Sequence, residues 1–178
     1  MCGALDNGEI RLRALEPEDL EALYKWENDD AFWEDGNAIA PYSRHILRQY
    51  IQTQDQDLYT SHQLRLMIEL KESCKAIGTI DLFDFEPHNN RAGVGIMIDK
   101  DFQQKGYATQ GLTLFCSYAF EVLHLHQMYA HVNTKNKASI ALFQKAGFAE
   151  CGLLHSWNRT ADGWQDCLLF QKIRSEID

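Results

Sequence analysis

The pattern of apolar runs, helical stripes and turn residues predicts an α/β (α+β) fold, a mixed, mainly antiparallel sheet of six or seven strands with helices on both faces. Three observations predict it. Apolar and alternating runs at 63–70, 75–85 and 91–98 are joined by short turns at 71–74 and 86–90, which suits antiparallel neighbours. A helical stripe over 106–122 separates the run at 91–98 from the next one at 127–132, so those two strands are expected to be parallel. The chain closes on a hairpin, 148–159 and 163–173, around Asp162-Gly163.

The elements follow in order. Ile10-Arg-Leu-Arg-Ala14 alternates as a half-buried first strand does, and Glu16-Pro17-Glu-Asp19 opens a helix with proline and acids in its first turn. Leu20, Leu23, Tyr24 and Trp26 give that helix an apolar stripe. The segment 27–41 is irregular and acidic, with Phe32, Trp33, Glu34 and Asp35 at its middle, and reads either as a surface connection or as a lid or substrate wall. Ser43 is placed to cap a helix to about Gln54. In the stripe over 106–122, Ala108, Leu112, Phe115, Ala119 and Val122 recur at helical spacing, and a further helix over 136–146 ends at Gly147.

With 178 residues, 45% of them apolar, the chain is long enough for one cored domain spanning 1–178. The start Met-Cys-Gly-Ala-Leu-Asp lacks the basic and apolar regions of a signal peptide, and no run reaches the roughly 18 apolar residues of a membrane span, so a cytoplasmic location without membrane contact is expected. Five cysteines without close pairs read as reduced thiols, with Cys116 and Cys151 taken as core packing. A net charge of −9 argues against nucleic acid and fits the attraction of a cationic ligand. His124 and His126 read as boundary residues between helix and strand, and no metal is expected.

The chemistry is concentrated after the run at 91–98. There Asp99-Lys-Asp-Phe-Gln-Gln-Lys-Gly-Tyr-Ala-Thr-Gln-Gly-Leu112 passes from a polar loop into a helix, whose first turn leaves N–H groups unpaired beneath a positive dipole end. That is an anion seat, and Gly106 permits close backbone approach. Gln103-Gln-Lys-Gly-Tyr-Ala108 resembles the Gln/Arg-x-x-Gly-x-Gly/Ala signature of the GNAT acyl-CoA-dependent N-acetyltransferases. Ile10-Arg-Leu-Arg-x-Leu-x-Pro-x-Asp-Leu20 is similar to the opening of the branch that holds spermidine N-acetyltransferases and ribosomal-protein N-terminal acetyltransferases. Asn133-Thr-Lys-Asn136-Lys-Ala-Ser139 through Phe143 to Gly147-Phe148 resembles that family's Asn-x-x-Ser/Ala…Gly-Phe helix.

The resemblance implies acetyl-CoA as co-substrate and an amine acceptor: a protein or peptide N-terminus, a polyamine or another small amine. A homo-oligomer is an open alternative. It also implies that Ile96, Met97 and Ile98 pair with the pantetheine arm and that Gln103, Gln104, Lys105, Gly106, Tyr107, Ala108 and Thr109 hold the pyrophosphate. Asn136, Ser139 and Phe143 would then line the thioester side. Lys105 reads rather as a solvated loop cation, since backbone amides alone can bind the pyrophosphate, and Asn136 also reads as a helix cap. At Phe143 many relatives carry a tyrosine that protonates the leaving thiolate, a role phenylalanine cannot fill. Ser139 stands where the ribosomal-protein enzymes have a serine proposed as the thiolate's partner, and it also reads as a local capping residue.

An alkylammonium must lose its proton to attack, and many relatives use a glutamate where this chain has Arg91-Ala-Gly93-Val-Gly95. Asp81, Asp84 and Glu86 are the replacements on offer. Period-two alternation sends Asp84 and Glu86 to one face with Ile80 and Leu82, and Asp81, Phe83 and Phe85 to the other; Asp84 or Glu86 is the candidate to act through water, and each also reads as a strand-end charge. His155 and Trp157 fall in the stretch that would border the acceptor. The competing reading is a non-catalytic acyl-CoA sensor. A pyrophosphate-binding nucleotide enzyme is disfavoured, because no Walker lysine-hydroxyl pair or dinucleotide glycine triplet is present.

Overall fold

The computed structural model describes residues 5–29, 40–54, 57–160 and 162–174. Seven strands form one sheet: β1 (Ile10–Arg13), β2 (Leu64–Leu70), β3 (Lys75–Glu86), β4 (Arg91–Ile98), β5 (Gln127–Asn133), β6 (Ala149–Thr160) and β7 (Gly163–Ile173), in the order β1-β2-β3-β4-β5-β7-β6. Every neighbouring pair is antiparallel except β4 and β5. The helices are α1 (Leu20–Glu27), α2 (Arg44–Thr53), α3 (Leu58–Ser61), α4 (Tyr107–Glu121) and α5 (Lys137–Lys145). No helix among the described residues is long and apolar enough to cross a membrane.

Alternation along the strands builds two cores. Leu66, Ile68, Ile80, Leu82, Ala92, Val94, Met128, Ala130 and Val132 face α4, which contributes Leu112, Phe115, Cys116 and Ala119 to the larger cluster. On the opposite face Met67 packs under Leu23 and Trp26 of α1 and Leu47 of α2. Helices therefore cover both faces, as the sequence predicts. Burial pushes the Cys116 thiol up to about 11, which suits packing and not reactivity. Cys151, expected in the core, is exposed on the edge strand β6.

Local chemistry explains the boundaries. Ser43 caps α2 by accepting the Ile46 N–H at 3.2 Å. The helix expected from Pro17 begins as a 3-10 turn, Pro17–Asp19, because Arg13 clamps the Asp19 carboxylate at 2.7 and 2.8 Å and holds the turn to β1. The helix α3 was not legible: it is one turn, capped by Asp57 and stopped by His62 at φ 54°. Phe32, Trp33, Glu34 and Asp35 lie outside the described residues. The near ends of their segment are tied by Asn28, which donates to Tyr24 and Tyr42 carbonyls and accepts the Tyr42 N–H.

Candidate active site

The parallel pair β4/β5 is joined over three residues only, Arg91, Ala92 and Gly93 opposite Gln127, Met128 and Tyr129. Beyond that point the strands no longer pair, while β4 stays bound to β3 and β5 to β7. A wedge opens between Val94, Gly95, Ile96, Met97 and Ile98 on one side and Ala130 through Asn133 on the other. One edge of β4 is left for an added strand, which is the place the sequence assigns to Ile96, Met97 and Ile98.

The glycine loop lies at the open end of β4. Gln104 and Gly106 both adopt left-handed backbone, φ 60° and 85°, and Gly106 is the N-cap of α4 without a side-chain cap. The N–H groups of Gln104, Lys105, Gly106, Tyr107, Ala108 and Thr109 find no acceptor among the described residues, and the first helical bond is Gln110 N–H to Gly106 at 3.1 Å. A Cβ at Gly106 would meet nothing within 4 Å, so the backbone fronts open space. Unpaired donors, a helix dipole and an unobstructed approach are what a pyrophosphate needs. The side chains of Gln103 and Lys105 serve the loop: Gln103 Nε2 donates to the Ile98 carbonyl at 2.9 Å, and Lys105 Nζ donates to the Asp101 carbonyl at 2.8 Å.

Asp99 fixes this loop to the body of the protein, and sequence reading gave it no role. Its Oδ2 accepts Lys25 Nζ at 2.6 Å and Trp26 Nε1 at 2.7 Å, and its Oδ1 accepts the Asp101 N–H at 3.1 Å. Burial pushes its pKa up, but these donors outweigh burial and hold it below the ordinary value. A lowered folded-state pKa stabilises the protein above the unfolded value of about 3.9, and that stability is lost as pH falls through the folded pKa. Asp99→Asn should therefore cost about 1–2 kcal/mol at pH 7, and the gap from wild type should narrow in acid. Urea unfolding of both proteins at pH 7 and pH 3 measures it; a gap that widens in acid would refute the assignment.

The N-terminus of α5 forms the other lip of the wedge. Asn136 caps the helix by accepting the Ser139 N–H at 3.0 Å, and Ser139 is half-buried one turn into the helix. Phe143, expected beside the cofactor, is 4% exposed in the main core, edge-on to Phe148 and stacked on Phe170. What it offers there is packing.

The acids on β3 require a correction. Register breaks between Phe83 and Glu86, with Asp84 at φ 50°, so β3 carries a bulge and alternation fails there. Phe85 joins Ile80 and Leu82 in the core instead of Asp84. Asp84 is exposed and acts electrostatically on Tyr129 and His131, which places it beside the other face of β5. Glu86 pairs with Arg91 at 2.7 Å and accepts Asn89 Nδ2 at 2.5 Å. Asp81 is held by Arg65 at 2.5 Å. The missing glutamate at Gly93 also has a physical reason: a Cβ there would lie 2.2 Å from the Phe83 ring, itself edge-on to Tyr129.

Three residues of β5 beside the wedge were given no role by the sequence. Tyr129, His131 and Asn133 share the β5 face opposite the α4 core, and the His131 ring sits 5.5 Å from Tyr129 and stacks on Trp157 at 6.1 Å and 26°. Alternation with buried Met128, Ala130 and Val132 was the available signal. His131 is exposed, and partial desolvation by its neighbours shifts the imidazole pKa below its ordinary value, with the Asp84 carboxylate pulling the other way. Asn133 is 8% exposed, and its Oδ1 is the buried side-chain oxygen without a hydrogen-bond partner among the described residues. Trp157 reaches His131 because β6 bulges between Leu154 and Asn158. Asp166 supports the bulge, accepting the Ser156 N–H at 2.7 Å and lying 3.2 Å from His155 Nδ1.

Comparison with known proteins gives the same picture. Residues 9–149 match the family model described as "Acetyltransferase (GNAT) domain". The chain is 28% identical over 152 residues to the spermidine N(1)-acetyltransferase of Escherichia coli strain K12, covering 83% of this chain and 77% of that one. It is 26% identical over 168 residues to N-acetyltransferase p20 of Bacillus licheniformis, 94% of each chain. The crystal structure of spermidine N-acetyltransferase from Vibrio cholerae in complex with CoA and spermine superposes with a TM-score of 0.83 at 25% identity, covering 96% of this chain and 98% of that one.

Proposed function

The chain belongs to the GNAT acetyltransferase family and is an N-acetyltransferase; from that premise we propose that it transfers the acetyl group of acetyl-CoA to a primary amine carrying positive charge, with polyamines the leading acceptor class. One observation carries the choice of acceptor: the closed end of the wedge is aromatic and carries an exposed carboxylate, with Asp84 beside Tyr129 and His131 and with Trp157 stacked on His131, while Glu86 is paired with Arg91. Carboxylates and ring faces both favour a cation over water-exposed neutral ligands. The spermidine acetyltransferases of Escherichia coli and Vibrio cholerae point to the same class.

When bound, acetyl-CoA supplies an activated acetyl thioester. The residues that would hold it are the N–H groups of Gln104 to Thr109 at the pyrophosphate, the free edge of Ile96, Met97 and Ile98 along the arm, and the α5 N-terminus with Asn136. His131 takes the ammonium proton at its free imidazole nitrogen, and Asp84 stabilises the resulting charge. Ser139 Oγ donates toward the departing sulfur, because Phe143 has no proton to give. Trp157 and Phe83 offer ring faces and edges along the amine's path.

A peptide N-terminal amine is the second reading, favoured by Ser139 together with Phe143 in place of the usual tyrosine. Thiol release from acetyl-CoA over spermidine, spermine, a neutral-flanked peptide N-terminus and a monoamine distinguishes them. Polyamines should exceed the monoamine at least tenfold in kcat/KM. Equal rates across the panel would sink the polyamine assignment, and no turnover with any amine would sink the acceptor reading.

A further inference from the structure

We propose that Asn133 is a binding residue for the acyl donor, its side-chain oxygen accepting an amide N–H of the pantetheine arm. The inference rests on the acetyl-CoA reading above and adds a contact that neither the glycine loop nor the α5 cap provides. Asn133 closes β5 at the open end of the wedge, and its carbonyl accepts the Asn136 N–H at 2.9 Å, so it belongs to the same turn as the α5 N-terminus. A ligand laid along the edge of β4 from the glycine loop toward α5 would run beside the end of β5 that Asn133 closes.

The side chain is more than nine-tenths buried, and its Oδ1 has no partner among the described residues. A buried carbonyl oxygen without a donor is destabilising and rare in native proteins, and a ligand donor would satisfy it. The donor it completes with is neutral. The α5 N-terminus is the positive end of a helix dipole and repels an ammonium. The carboxylates that would hold a cation, Asp84 and Glu86, lie at the Tyr129 end, four residues or about 13 Å back along the strand. An amide N–H fits both conditions, and the pantetheine arm has two.

Titration calorimetry with acetyl-CoA, and with ADP as a nucleotide probe that lacks the arm, tests this on the full chain alongside thermal unfolding. Asn133→Leu removes the oxygen at similar volume and should weaken acetyl-CoA ten- to thirtyfold, leave ADP within threefold, and keep or raise the apo Tm because the orphan oxygen is gone. Asn133→Asp keeps an acceptor and should stay within about threefold of wild type for acetyl-CoA. Should the leucine variant fail to fold, Asn133→Ala carries the same expectation. Equal acetyl-CoA affinity in the leucine variant overturns the assignment, as does a parallel loss for ADP or an aspartate variant as weak as leucine. If wild type itself binds no acetyl-CoA, the acyl-donor reading fails first, and this inference with it.

Discussion

Gly106→Glu should lower the affinity for acetyl-CoA about 100-fold, roughly 2.7 kcal/mol, while leaving most of the stability intact. The backbone at 106 is left-handed at φ 85°, which costs a non-glycine residue about 1–2 kcal/mol. No protein atom lies within 4 Å of the new Cβ, so the fold meets no clash. The added side chain instead occupies the space in front of the α4 N-terminus and sets a carboxylate beside the pyrophosphate. At an effective dielectric near 20, one such pair at 4 Å repels by about 4 kcal/mol before salt and side-chain movement reduce it. Gly106→Asn separates the two effects. Asparagine tolerates left-handed backbone and is neutral, so its affinity should fall by about fivefold or less. Calorimetry with acetyl-CoA reads both variants. Unchanged binding in the glutamate variant would remove the pyrophosphate from this loop.

Legibility from sequence followed the range of the interaction. The strand β4 was read to the residue because its apolar run is bounded by turn residues before Arg91 and by polar Asp99, and the caps Ser43 and Asn136 were read because capping is local. The cofactor loop was legible for the same reason: its donors belong to six consecutive residues. The β3 bulge was not, since nothing in the alternation announces a left-handed Asp84, and one extra residue turned every later side chain to the other face. Gly93 looked like a lost catalytic acid and is a seat for the Phe83 ring, a relation across two strands. The clamp from Asp99 to Lys25 and Trp26 spans more than seventy residues of sequence and has no local signature.

The second large effect belongs to His131. Replacing it with glutamine should lower kcat/KM for the best amine about 100-fold at pH 7 and leave acetyl-CoA affinity within threefold. At pH 7 only about 0.1% or less of an alkylamine with pKa near 10.4 is neutral, so a residue that takes the proton at the site gains what bulk water cannot supply. His131 can do this because an imidazole is mostly neutral at pH 7, and partial desolvation of this exposed ring shifts its pKa further down. The groups that face it are Asp84 from β3, Tyr129 on its own strand and the indole of Trp157 from β6. Of these Asp84 carries the charge, and it pulls the imidazole pKa upward. The pH profile follows: wild-type kcat/KM should rise through the His131 pKa and level off near neutrality, whereas the glutamine variant should climb about tenfold per pH unit as free amine accumulates. Asp84→Asn should move the wild-type acid limb to lower pH, because the carboxylate that raises the imidazole pKa is gone. A glutamine variant with wild-type rate and profile would transfer the proton to water or to Glu86. The opposite result would show that this chain moved its base from β4, where Phe83 fills the space, to the facing strand across the same wedge.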